Sequence, residues 1–189
     1  WRNWLSNVAV KSENIRGHHI RTDCLGPDSI AVDLGAYEGE FSKALGTRWG
    51  ARVLAVEANP ATFEKSFFNE NVTKFNLAIS DQVGTVKLYL GSNPEGHSLK
   101  VLHRDACIDN YVEVPSTTLS TFIREQDVKK IDVLKVDIEG SEVALFNSLD
   151  DEMLQGFYQV SVEFHDFIES LKIASDVEAI KRRMQRLGF

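Results

Sequence analysis

Cysteine is scarce: Cys24 and Cys107 are the only two, and they form no C-x-x-C pair, which excludes the usual zinc spacings and a disulfide framework. A reducing, cytoplasmic setting is the expectation that follows. Long apolar runs are missing as well. None approaches the ~18 residues that span a bilayer, and no charged-then-apolar leader opens the chain. Basic charge is the minority, with 21 Lys and Arg against 28 Asp and Glu, a formal net charge of −7. The small groups Lys129-Lys130 and Lys181-Arg182-Arg183 make no continuous stripe, so a protein that tracks nucleic-acid phosphates is excluded. Internal repeats and low-complexity tracts are absent too. What remains, 43% apolar and 26% charged over 189 residues, is the composition of one folded domain with a full core.

Trp1, Trp4, Leu5 and Val8 share the spacing of one helix face, so residues 1–28 read as an N-terminal helical arm packed on the main domain. From Ser29 the texture changes. Ile30-Ala31-Val32 is a short apolar run ending in Asp33-Leu34-Gly35, and Phe41, Ala44 and Leu45 then recur at helical spacing: a strand, a glycine turn and a helix. The unit repeats through Val53-Leu54-Ala55-Val56, a helix opening at Pro60, and the strand Phe75-Asn76-Leu77-Ala78-Ile79. Helices over 119–125, 142–149 and 177–187 then alternate with strands over 131–136 and 158–164. Such alternation implies parallel pairing and right-handed crossovers, hence an α/β, Rossmann-like domain over 29–189 with helices on both faces of a mostly parallel sheet. Residues 81–115 break the rhythm. Val83-Gly84-Thr85 turns into the strand Val86-Lys87-Leu88-Tyr89-Leu90, and Gly91-Ser92-Asn93-Pro94-Glu95-Gly96 is too rich in turn formers for a core. This stretch reads as a substrate-side insertion.

Asp33-Leu34-Gly35-Ala36-Tyr37-Glu38-Gly39 lies where the first strand of the open sheet hands over to its helix, the place where such sheets bind ligands. Glycines at 35 and 39 allow a tight turn, but the G-x-G-x-x-G spacing of a dinucleotide site is absent. A pyrophosphate would also meet the carboxylates of Asp33 and Glu38. A ligand carrying an ammonium and a sulfonium is attracted instead, and S-adenosylmethionine is such a ligand. Its carboxylate can face backbone N–H groups at the helix start. Glu57 ends the second strand about 20 residues beyond the glycine turn, where an acid can accept both ribose hydroxyls. The plainer alternative is a strand-to-helix turn whose acids cap the helix or sit in solvent.

Further along stands Leu134-Lys135-Val136-Asp137-Ile138-Glu139-Gly140-Ser141-Glu142, preceded by Ser116-Thr117-Thr118-Leu119. With the 33–39 loop, Val56-Glu57-Ala58-Asn59-Pro60 and Asn76-Leu77-Ala78-Ile79-Ser80, it resembles the FkbM family of S-adenosylmethionine-dependent methyltransferases over about residues 30–165. The resemblance implies a class I methyltransferase fold and methyl transfer to a hydroxyl of a sugar or another small metabolite. It implies cofactor contacts at Asp33, Gly35, Ala36, Tyr37 and Gly39, a ribose contact at Glu57 beside Ala58, and an adenine side at Asn76 to Ala78. Ser120 departs from the family, which often has an acid there. The closing antiparallel pair of the fold is not seen by Phe189, and the chain starts at Trp1 rather than Met. The start suggests a fragment or a processed chain, and the missing pair a domain whose closing edge lies outside the sequence, with the fifth strand covered by the N-terminal arm or a partner chain. An oligomer stays open.

Lys135, Asp137 and Glu139 alternate, so they share one face at the end of their strand. Lys135 and Glu139, with His97 and Ser98 of the insertion, are expected to meet the acceptor. His165 and Glu163 share a face at the end of the next strand, and His165 is the candidate general base, oriented by Glu163, with Asp137 beside them. The plainer readings are a solvated or capping His165, a Lys135 paired with a carboxylate, and acids that begin a helix. His18, His19 and His103 stand in no motif. No metal is assigned, although Asp137, Glu139, Glu163 and His165 could converge into an oxygen-rich divalent site. The function read from the sequence is O-methylation of a hydroxylated acceptor such as a glycan, under the 91–110 cover. Its rival is a catalytically silent S-adenosylmethionine-binding module that serves a protein partner.

Overall fold

The structure is a computed structural model and describes residues 10–66, 69–91, 97–99 and 109–189. The chain enters as an antiparallel hairpin of β1 (Ser12–Ile15) and β2 (His18–Arg21), in which Ile15 faces His18 across Arg16 and Gly17. Both turn residues have positive φ, 52° and 85°, the geometry that two-residue hairpins favour. The reading of 1–28 as a helical arm is therefore corrected over its described part: none of residues 10–28 is helical. Burial alternates along β2, with His18 and Ile20 in and His19 out, and a buried histidine hides that alternation from a hydrophobicity reading. Trp1, Trp4, Leu5 and Val8 lie outside the described residues.

A βαβαβ unit follows: β3 (Ile30–Leu34), α1 (Glu40–Trp49), β4 (Arg52–Glu57), α2 (Pro60–Lys65) and β5 (Val72–Asn76). Pro60 opens α2 where its missing N–H is harmless, and the Asn59 side chain caps it by accepting from Ala61 N at 2.9 Å. Then come β6 (Ala78–Ile79), β7 (Gly84–Tyr89), β8 (Tyr111–Thr117), α3 (Leu119–Glu125), β9 (Val133–Val136), α4 (Glu142–Ser148), α5 (Asp151–Gln155), β10 (Val160–Val162) and α6 (Ala174–Leu187).

Five strands pair in the order β5-β4-β3-β9-β10, all parallel. From β3 the chain builds first to one side and later to the other, so the β3–β9 boundary is the switch point at which open α/β sheets bind ligands. The expected α/β, Rossmann-like fold is what forms. The single strand read over Phe75 to Ile79 divides at Leu77. Asn76 Nδ2 donates to the carbonyls of Glu57 at 2.9 Å and Ala58 at 3.2 Å, ending β5, while β6 leaves to join a second sheet, β6-β8-β7. β8 went unread because Pro115 interrupts it, yet β6 pairs only with Ser116 and Thr117, so Pro115 needs a partner on β7 alone.

Alternation sorts the side chains of the five strands to two faces. Val32, Leu34, Leu54, Val56, Leu134 and Val136 meet Phe122, Phe146, Leu154 and Val177 in the main core. Full burial of each such leucine contributes roughly 1.5–3 kcal/mol relative to exposure. On the opposite face, Ala31, Val53 and Val133 pack with Phe41 and Leu45 of α1 and with Ile15 and Ile20 of the hairpin. The hairpin lies across β10 on this face. Arg21 N donates to Gln159 Oε1 at 2.8 Å, and Gln159 Nε2 returns a bond to Arg21 O at 3.1 Å. The N-terminal segment thus does reach the fifth strand, through a strand rather than a helix.

Candidate active site

At the carboxyl ends of β3, β4 and β9, with the hairpin turn on one side, is a cavity of about 450 Å³, a size suited to a small-molecule ligand. Its floor is the loop after β3. Gly35 N and Ala36 N both donate to Val56 O, at 3.0 and 2.9 Å. Gly35 has φ of 77°, and a Cβ there would lie 1.7 Å from Asp137 O. Only glycine lets this loop press against the end of β9.

Glu57 secures the next turn of the loop. Its Oε2 accepts from Tyr37 N at 2.9 Å and its Oε1 from Asn59 N at 2.7 Å. Burial pushes the Glu57 carboxyl up, and these two amides offset only part of that rise. Each oxygen keeps a further lone pair for a hydroxyl donor, and the side chain lines the cavity.

Asp33 lies below the floor and is not among the cavity's lining residues. It is fully buried, with Ser42 Oγ donating to Oδ2 at 2.6 Å and Lys135 Nζ 3.1 Å from Oδ1. Lys135 Nζ also donates to Gly35 O at 2.6 Å and Leu34 O at 3.4 Å. The direct cofactor contact expected at Asp33 does not match this placement: the residue shares the face of Ala31, which turns toward α1. Lys135 pairs with a carboxylate, the plainer of its two readings, while its side chain still borders the cavity.

The segment from Lys135 to Glu142 is built around one buried carboxylate. Glu142 Oε1 accepts from Ile138 N at 3.2 Å, from Gly140 N at 3.0 Å and from the His165 ring at 3.0 Å. Between them Glu139 and Gly140 both take positive φ, 50° and 91°. A non-glycine residue held there costs about 1–3 kcal/mol and persists only under such clamping.

His165 is 4% exposed, and its other ring nitrogen lies 3.2 Å from Glu139 Oε2. Burial lowers its pKa, but bonds to Glu139 and Glu142 and their charges outweigh that and raise it to about 10. At neutral pH His165 is a cation with both nitrogens engaged, and it does not line the cavity. The general-base role read for it is corrected on that ground. Asp137 does face the cavity; burial raises its pKa, but His18, Lys135 and His165 together hold it below the ordinary aspartate value.

Of the remaining expected residues, Tyr37, Ala58, Ala78, Glu139, His97 and Glu163 line the cavity. Burial pushes the His97 ring down in pKa, and its Nδ1 accepts from Gly91 N at 3.1 Å. Gly39, Asn76 and Ser98 stand behind the lining. Gly39 precedes α1, Asn76 ties the ends of β4 and β5, and Ser98 donates to the Glu139 carbonyl while pairing with Tyr89.

Sequence reasoning set His18 aside for want of a motif and never weighed Arg16, yet both line the cavity. The His18 ring stands edge-on to Phe41 with centroids 5.7 Å apart, and its Nδ1 is 3.0 Å from Ser161 Oγ. Arg16 pairs with Glu40 at 2.7 Å, fixing the hairpin turn to α1. The four groups weighed for a metal do not form one set: Asp137 lies with Glu139 and His165, and separately with Glu163 and His18, which the sequence did not bring in, each set having ligand atoms within 4.8 Å.

Fold and cavity together define a doubly wound α/β domain with a ligand site at its switch point. Residues 33–189 match the methyltransferase FkbM domain, and the chain belongs to that family of methyltransferases. It is similar to Methyltransferase 1 of Beauveria bassiana, 29% identical over 168 residues that cover 74% of this chain and 66% of the relative. It is also similar to the antimetabolite synthetase AmbE of Pseudomonas aeruginosa, 24% identical over 87% of this chain and 10% of that protein. The chain therefore spans about two-thirds of one curated relative and a tenth of the other. Among solved structures, a protein from Anabaena variabilis, described as a methyltransferase from an antibiotic biosynthesis pathway, aligns with TM-score 0.40 and 12% identity, over 86% of this chain and 55% of its own. Among the described residues no helix is long and apolar enough to cross a membrane.

Proposed function

We propose that this methyltransferase uses S-adenosylmethionine and methylates a hydroxyl oxygen of a sugar or another small hydroxylated metabolite. The observation that carries the reading is Glu57, half-buried at the end of β4, holding the glycine loop by two amides and still presenting its carboxylate to the cavity. That is the placement an adenosine ribose needs. Leu77, Ala78 and Ile138 supply apolar lining for a base, while Glu57, Asp137 and Glu139 make the cavity suited to a cationic ligand. When bound, S-adenosylmethionine supplies a methyl group activated by its sulfonium.

The chain's own residues do the rest. Lys135 ties Asp33 to the Gly35 carbonyl, and Asp137 N donates to Leu34 O at 3.0 Å, so that the two loops forming the floor are fixed before anything binds. A hydroxyl acceptor must lose its proton, and among the described residues His18 and His97 are the imidazoles that border the cavity; His165 does not. The name of the Pseudomonas relative, an antimetabolite synthetase, accords with a small-metabolite acceptor. A cytoplasmic setting, where the free thiol of Cys24 stays reduced, belongs to the same reading.

The test is transfer of labelled methyl from S-adenosylmethionine to a panel of sugars and other polyhydroxylated metabolites. Labelled, base-stable ether product is the expected outcome. Cofactor binding with no transfer to any member of a broad panel would favour a silent binding module instead.

A further inference from the structure

His18 comes from β2, Asp137 from the end of β9 and Glu163 from the end of β10, and one ligand-type atom of each lies within 4.8 Å of the other two. Two carboxylates brought that close repel one another, and the cations beside Asp137, Lys135 at 3.7 Å and His165 at 3.9 Å, each have a nearer carboxylate of their own, Asp33 at 3.1 Å and Glu142 at 3.0 Å. His18 adds an independent sign. Its side chain is 4% exposed, and Nε2 has no hydrogen-bond partner among the described residues. Leaving such an atom unsatisfied is costly, and buried polar groups are rarely left so.

Nε2 is 3.8 Å from Asp137 Oδ2, too far for a hydrogen bond. Two ligands that share one ion, each about 2.0–2.2 Å from it, stand about 3–4 Å apart. The far side of the ring completes the pattern. A proton on Nδ1, 3.0 Å from Ser161 Oγ, leaves Nε2 as the acceptor nitrogen on the side of Asp137, the arrangement of metal-ligating histidines oriented by an outer partner.

The rival set of Asp137, Glu139 and His165 lacks this opening, because both His165 nitrogens are already bonded to carboxylates, at 3.0 and 3.2 Å. Lys135 does not fill the place either. Its Nζ is 3.7 Å from Asp137 Oδ2 but only 3.1 Å from Asp33 Oδ1, whose charge balances it.

We propose that His18 Nε2, Asp137 and Glu163 bind one divalent transition-metal cation of the Mn2+ or Zn2+ class at the cavity wall. One imidazole and two carboxylates favour such ions over Ca2+ and Mg2+. Three protein ligands leave open positions for hydroxyl oxygens, so the acceptor class is narrowed to molecules with two adjacent hydroxyls. The ion lowers the pKa of a bound hydroxyl. With His18 engaged, proton acceptance passes to His97. The role of the ion rests on the methyl-transfer reading above; its binding does not.

Titration of the metal-free chain with Mn2+, read by the spin-resonance signal of the free ion, tests the site without any acceptor. Wild type and His19→Ala, altered at the exposed neighbouring histidine, are expected to bind one Mn2+ per chain. His18→Ala and Glu163→Gln are expected to bind it at least about tenfold more weakly, and Ser161→Ala about tenfold more weakly. Glu163 is exposed, so its variant keeps the test sound if His18→Ala fails to fold. No saturable Mn2+ binding, or unchanged affinity in a folded His18→Ala or Glu163→Gln chain, overturns the site. S-adenosylhomocysteine, titrated into the same metal-free protein, separates the two readings: its failure to bind overturns the cofactor assignment and leaves the ion site standing.

Discussion

The two faces of the five-stranded sheet are made from the same strands, one residue out of step, and they have opposite contents. On one face Val32, Leu34, Leu54, Val56, Leu134 and Val136 are all at most 2% exposed and pack into the apolar main core. On the other, the same strands end in Asp33, Glu57 and Lys135, with Ser161 and Glu163 on the neighbouring strand. The difference shows how a short strand carries two tasks. Odd-numbered positions of β3, β4 and β9 begin with Ala31, Val53 and Val133 against α1 and the hairpin and end in the ionic groups at the cavity, whereas even-numbered ones of the same strands face the main core. Charge is tolerable on the second face because its two buried ionic groups, Asp33 and Lys135, pair with each other at 3.1 Å.

That contrast can be broken from either side. The largest effect is expected from Lys135→Met, which strands the Asp33 carboxylate in the interior and costs about 3–5 kcal/mol in urea unfolding. Adding Asp33→Asn should return a good part of it, since the uncompensated charge then goes. Leu134→Ala, one residue away on the other face, should cost about 2–5 kcal/mol while leaving affinity for S-adenosylhomocysteine within about twofold. If that affinity falls along with stability, the two faces are not separable.

Gly35→Ala sharpens the comparison at the junction of the two loops. It drives a Cβ into the Asp137 carbonyl, a backbone atom that must move, in addition to the roughly 1–3 kcal/mol of holding alanine at φ of 77°, and is expected to bring a clear loss of cofactor-analogue binding. A smaller effect distinguishes His165 as a structural cation. Its pKa is raised to about 10, so the stabilisation it gives is complete below about 6.5, the value in an unfolded chain, and is lost as pH rises through about 10. In metal-free buffer the stability lead of wild type over His165→Gln should therefore shrink steadily between pH 7 and pH 10. A lead that grows with pH would mean the ring is neutral.

Most of the sheet was legible, because apolar runs bounded by glycine and proline report strands directly. The helix over 119–125 was read to its ends, and Glu57 ends its strand as read and lines the cavity. The misreadings share a cause: they depend on partners far away in sequence. His18 meets Ser161 across 143 residues, and nothing near it in the chain announces the contact. His165 reads as a free base until Glu139 and Glu142 are seen around it. Asp33 is the exception. Its place between Val32 and Leu34 already sets it on the face of Ala31, so strand parity alone points it toward α1 rather than the ligand.

The claim that the charged face is a cofactor site stands or falls on one titration, S-adenosylhomocysteine into wild type and Glu57→Gln by calorimetry. One site per chain is expected in wild type, with about 1.5–3 kcal/mol of binding lost in the variant, at least a tenfold change. No saturable heat from a folded wild-type chain, or equal affinity in both proteins, would contradict it.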